Sequence, residues 1–153
     1  MAAACVSNIS VSGSADTRGE NLGEEDDGEW RSETARDLAD AERRLEEAAA
    51  SIRGEPSREQ MRSVWRAYVD VEKSIFFIRV EIDEENPGRR LWIRDYAVPD
   101  ERQAVTFALR SLKRGTADFS LGYLLESLKG LRESRNYLRA LLKAKAPRRR
   151  TEG

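Results

Sequence analysis

Apolar residues repeated at intervals of three and four constrain this chain more than any other feature of its sequence. The clearest run keeps a strict 4-3-4-3-4 spacing through Val64, Tyr68, Val71, Ile75, Ile78 and Ile82. That spacing places all six on one face of an α-helix, which turns once every 3.6 residues. A second apolar set lies beside the first and consists of Trp65, Val69, Phe76 and Val80. Two adjacent apolar faces predict a central helix with neighbours on two sides.

The end of this segment also permits another structure. Apolar and charged residues alternate from Ile78 to Ile82, and Leu91-Trp92-Ile93 follows the turn sequence Asn86-Pro87-Gly88. This arrangement is typical of a β-hairpin, so residues 75–98 could form either a helix and loop or a hairpin. We favour the helix because the spacing that begins at Val64 continues without a slip through Ile82.

The segment before it predicts a first helix that starts after Ser32 and ends near Arg53. Gly54 and Pro56 supply the stop, and Ser57-Arg58-Glu59-Gln60 has the pattern of a capping box for the next helix. The first helix buries a narrow, alanine-rich face made of Leu38, Ala41, Leu45, Ala48 and Ile52.

Two further helices are predicted after the long connection that ends at Val98. The third begins at Pro99-Asp100-Glu101 and stops at Gly115, and the fourth is capped by Thr116 and runs to about Lys145. The short links around Gly54 and Gly115 favour antiparallel neighbours. The apolar face of the fourth helix consists of Leu121, Leu124, Leu128, Leu131, Leu138 and Leu142.

These elements predict an all-α, antiparallel four-helix bundle-like domain over residues 30–146. Residues 1–29 form an acidic leader that we expect to be disordered, because GENLGEEDDGE has no apolar pattern to offset the entropy of ordering it. Residues 147–153 form a short basic tail.

The residues that are missing exclude most catalytic and metal chemistry. The sequence has no histidine, and its single cysteine is Cys5. A Ser-His-Asp or Cys-His arrangement, a zinc site and a di-iron bundle site are therefore excluded. No GxxxxGK[ST], GxGxxG or GxSxG motif is present. We expect a protein that is not an enzyme and that holds no cofactor or metal.

The same sequence gives no sign of a membrane or an oxidising compartment. No stretch approaches the roughly 20 apolar residues of a spanning helix, and a single cysteine makes no internal disulfide. The first residues lack the basic start of a secretory signal. The expectation is a soluble, cytoplasmic protein with no membrane partner.

The charge is unevenly distributed, although the net charge is only −1. Residues 1–60 carry 7 basic and 15 acidic side chains, whereas residues 101–153 carry 13 and 5. A basic stripe of this kind can follow the phosphate backbone of RNA or DNA. The candidate contact residues for nucleic acid or a protein partner are Lys129, Arg132, Arg139, Lys143, Lys145, Arg148, Arg149 and Arg150.

One charged residue interrupts each of two apolar faces. Arg135 lies between Leu131 and Leu138 on the fourth helix, and Glu72 lies between Val69 and Phe76 on the second. A buried arginine needs a carboxylate or a route to solvent. We predict that Arg135 and Glu72 pair inside the bundle and set its register, the alternative being an arginine at the rim that points outward.

The sequence around this arginine resembles a known motif. Arg135-Asn136, late in a four-helix chain of this size, resembles the start of the Arg-to-His motif of HEPN domains, which are helical bundles that often act as RNases or bind nucleotides. Arg139, Ala140 or Leu141 stands where the histidine would fall. The resemblance therefore implies at most a degenerate binding role without RNase activity.

The function that these observations favour is a non-enzymatic helical interaction module that docks a protein partner or a second copy of itself. The aromatic residues to consider for an interface are Trp65, Tyr68, Trp92 and Tyr96, although packing in the core is the more common use of the first two. The alternative is a nucleic-acid-binding protein that uses the basic fourth helix and tail.

Overall fold

The computed structural model describes residues 18–82, Tyr96 and residues 100–146, with side chains described from Gly28 onward. Four α-helices make up most of this part of the chain: α1 (Arg18–Ser51), α2 (Arg58–Glu81), α3 (Glu101–Ser120) and α4 (Leu124–Lys145). No strand occurs within these residues. The predicted all-α, helical-bundle fold is confirmed.

The chain divides into two units between Glu33 and Thr34. The first unit contributes the start of α1, where the guanidinium of Arg31 lies 5.1 Å from the centre of the Trp30 ring. The helix start predicted after Ser32 is wrong, because α1 already begins at Arg18. The predicted leader lies outside the described residues as far as Thr17, and the predicted tail lies outside them from Pro147.

The second unit contains the rest of α1 and the other three helices. The predicted buried face of α1 is confirmed, with Leu38, Ala41, Leu45, Ala48 and Ile52 all at most 3 % exposed. Ion pairs join α1 to two other helices: Asp37 pairs with Lys73 of α2, and Glu46 pairs with Lys113 of α3. The Arg102 side chain of α3 also donates to the Ala49 carbonyl.

The start of α2 is set by the predicted capping box. The Ser57 hydroxyl accepts from the Gln60 backbone N–H at 3.0 Å, and the Gln60 side chain accepts from the Ser57 N–H at 2.8 Å. These two bonds satisfy backbone donors that have no partner inside the helix. The helix then continues through Glu81, so the β-hairpin alternative is wrong for residues 75–81. Leu91, Trp92 and Ile93 lie outside the described residues.

The break between the last two helices is not where the sequence suggested. α3 passes straight through Gly115 and Thr116, and the turn comes at Leu121–Tyr123, where Gly122 has φ of +84°. Only glycine adopts such a conformation without steric cost. Leu121, predicted to be in the core, is 66 % exposed. α3 begins at Glu101, within the predicted start, and Asp100 caps it by accepting from the Gln103 N–H at 2.7 Å.

Gly115 is needed for packing rather than for a turn. It is buried in the contact between α3 and α4, which we name the α3–α4 seam. A Cβ on Gly130 would lie 2.9 Å from the backbone nitrogen of Gly115, so the two backbones approach closely. Across the same seam Ser127 donates to the Gly115 carbonyl at 2.7 Å, and Ser134 donates to the Ala108 carbonyl at 2.8 Å.

α4 packs against α2 on its other side. The residue pairs run in opposite directions along both contacts of α4. Ser127 and Ser134 bond to Gly115 and Ala108 of α3, in reverse order. On the α2 side, Glu72 pairs with Arg135, and Tyr68 lies with Arg139 in one groove. α2 and α3 therefore both lie antiparallel to α4 and parallel to each other. The long connection between Ile82 and Asp100 is what allows two consecutive helices to have this orientation.

Candidate functional site

The most unusual surface of the second unit lies on α2. Four large apolar side chains that the sequence predicted to be buried are exposed, and we name them the outer stripe: Trp65 (51 %), Val69 (41 %), Phe76 (58 %) and Val80 (61 %). α2 is therefore not the central helix that two apolar faces suggested. One of its faces is covered and the other meets solvent.

The geometry of the helix explains this outcome. At about 100° per residue, the four positions of the outer stripe lie within about 60° of one another, and the buried residues of α2 lie roughly opposite. Those buried residues are Val64, Ala67, Val71, Ser74, Ile75 and Ile78. The two apolar faces thus point in opposite directions, and α1 and α4 leave most of the outer stripe uncovered.

The sequence held a signal that the outer stripe faces solvent. Arg58, Arg62 and Lys73 fall on the same side of the helix as the stripe, when placed at about 100° per residue. The buried face has no charged residue among its members. Since Lys and Arg are almost never fully buried without a partner, charges mixed into an apolar face indicate a face that reaches water.

The N-terminal end of the outer stripe opens into a shallow groove of about 280 Å³ between α2 and α4, which we name the α2–α4 groove. Trp65 belongs to both the stripe and the groove, and its ring stacks on that of Tyr68 with 5.6 Å between centroids. α4 contributes the other wall through Arg139, Leu142 and Lys143. The groove therefore combines aromatic surface with two cationic side chains.

A network of polar side chains joins α2 to α4 next to this groove. Arg135 Nη1 lies 3.1 Å from Glu72 Oε1, so the ion pair that the sequence predicts between these residues is present. Arg135 is only 4 % exposed, and its Nε donates to Asn136 Oδ1 at 3.0 Å. Its other partner, Glu72, also accepts from the Tyr68 hydroxyl at 2.8 Å.

Tyr68 has an altered acidity for the same reason. Burial raises the pKa of Tyr68 to about 12, with a further contribution from its hydrogen bond to Glu72. The charged phenolate would lose solvation and face the carboxylate. Tyr68 is thus held as a neutral donor to Glu72, which makes the network a positioning device rather than an acid–base pair.

The predicted basic residues do not form one exposed stripe. Arg132 is 7 % exposed and lies with the core of the second unit, while Arg139 and Lys143 line the α2–α4 groove. Lys129 pairs with Glu126 at 3.2 Å on its own helix. The basic residues Arg148, Arg149 and Arg150 lie outside the described residues.

Lys145 serves the fold rather than an open surface. Its Nζ lies 2.6 Å from Glu101 Oε2 and 2.9 Å from Glu55 Oε1, and it joins the end of α4 to the start of α3 and to the α1–α2 link. These hydrogen bonds raise the pKa of Lys145 and lower the pKa of Glu101. Both shifts favour the charged pair.

Two further aromatic residues, Tyr96 and Trp92, were predicted for an interface. Tyr96 packs edge-on against Tyr137 of α4, with 4.6 Å between ring centroids, and the Phe107 ring lies 5.4 Å from that of Tyr137. Trp92 lies outside the described residues. Tyr96 therefore anchors the return of the chain onto α4.

A cavity at the junction of α1 and α3 offers no reactive arrangement. It measures about 640 Å³ and lies between the end of α1 and the start of α3, where it is lined by Arg53, Gln103 and Phe107 among others. Its two carboxylates are engaged, Asp100 as the cap of α3 and Glu101 with Lys145. Over the described residues, no group of three or more potential metal ligands comes together.

Comparison with known proteins adds no relative. No protein-family model, no curated protein and no solved structure matches the chain. Among the helices that the structure describes, none combines the length and apolar character needed to cross a bilayer.

Proposed function

We propose that this protein is a non-enzymatic interaction module and that the outer stripe of α2 is its docking surface. The observation that carries the proposal is the exposure of Trp65, Val69, Phe76 and Val80, which are 41–61 % exposed along one face of a 24-residue helix. Contiguous apolar surface of this kind on a soluble domain is typical of a binding site.

The composition of the surface supports the same function. Trp65 and Phe76 are large, rigid side chains of the kind that dominates binding energy at protein interfaces, and basic residues surround them as a polar rim. The helix that presents them is attached to α4 by the Glu72–Arg135 pair. The docking face is therefore fixed before a partner arrives, which reduces the entropy lost on binding.

Site-specific photo-cross-linking tests this proposal. p-Benzoyl-phenylalanine at position 76, in the full chain expressed in its own host, should give cross-linked products of discrete mass on irradiation. The same group at Ser120, which is exposed at the end of α3, serves as the matched control. Products at both positions or at neither would contradict a docking surface on α2.

The α2–α4 groove favours a second candidate, binding of single-stranded nucleic acid. Arg139 and Lys143 could contact phosphates while Trp65 stacks on a base, as in sites that combine cationic and aromatic side chains. The test is fluorescence anisotropy with labelled RNA and DNA, using the full chain and a chain truncated after Ala146. Nucleic-acid binding requires affinity that falls steeply with salt and with Arg139→Gln. Salt-independent or absent binding would exclude it.

A further inference from the structure

We draw no further inference here: the strongest candidate, the outer stripe of α2, is the docking surface already proposed, and nothing among the described residues shows what covers it.

Discussion

The α3–α4 seam and the outer stripe of α2 are opposite uses of a helix surface. The seam is built from small residues, where Gly115 and Gly130 bring two backbones together and Ser127 and Ser134 donate to carbonyls of the facing helix. The outer stripe consists of large side chains that touch no comparable surface and remain about half exposed. The region that looks least hydrophobic in sequence is buried, and the one that looks most hydrophobic is not.

The difference shows that residue size and face decide burial as much as hydrophobicity does. Small residues permit close approach of helices, so dispersion contacts and hydrogen bonds replace large apolar side chains in the seam. α2 carries more apolar surface than α1 and α4 cover. The surplus is what a binding surface requires.

The largest effect is expected at Arg135, which attaches α2 to α4. Arg135→Ala should lower the free energy of unfolding by about 2–3 kcal/mol, because it removes a buried side chain and leaves Glu72 without its cation; Glu72 is partly exposed, which limits the loss. Arg135→Met fills the space and should cost about 1 kcal/mol or less. Urea denaturation of the three proteins measures both. Equal and negligible losses would show that the pair does not hold the register.

A somewhat smaller effect is expected in the α3–α4 seam. Gly130→Ala places a Cβ 2.9 Å from the Gly115 nitrogen, and the backbone there cannot yield as a side chain could. We expect a loss of about 1–2 kcal/mol in the free energy of unfolding, despite the better helix propensity of alanine. Gly28→Ala is the control, since a Cβ there meets no atom within 4 Å. A stabilised Gly130→Ala would mean that the seam is looser than described.

Tyr68 should make the stability of the fold depend on pH in the alkaline range. Its pKa is raised to about 12 by burial and by Glu72, so its contribution to stability is present below pH 10 and is lost as the pH rises from 10 towards 12. Tyr68→Phe should cost about 1 kcal/mol at pH 8 for the hydrogen bond to Glu72 and should weaken the alkaline loss. Denaturation midpoints at pH 8 and pH 11 measure both, with exposed Tyr123→Phe as the control. Identical alkaline losses in wild type and Tyr68→Phe would contradict this assignment.

The smallest effect on folding is expected on the outer stripe itself. Phe76→Ser should change the free energy of unfolding by no more than about 0.5 kcal/mol, because the ring is 58 % exposed and its main described contact is with Phe77. The same substitution should weaken the binding that depends on this face. A large loss of stability would place Phe76 in the core of the protein and remove it from the docking surface.

Several features follow from local sequence alone. The Ser57–Gln60 capping box, the start of α3 and the buried face of α1 are confirmed because each depends on residues within a few positions of one another. The Glu72–Arg135 pair was also predictable, since a charge on an otherwise apolar face requires a partner and each helix offered one. Helix type and helix faces are therefore properties of the sequence at short range.

Other features depend on which helices meet, and no local pattern contains that information. The sequence predicts that Gly115 ends a helix, yet it lies inside α3. There Leu131 and Gly130 of α4 approach so closely that a side chain would not fit. Arg132 reads as part of a basic surface, yet it is buried. Apolar residues on two sides of α2 read as core, and only the placement of α1 and α4 decided that one side stays exposed. The sequence by itself determined the helices and their apolar faces, whereas the tertiary structure decided which faces are covered, because burial is set by contacts between segments far apart in the chain.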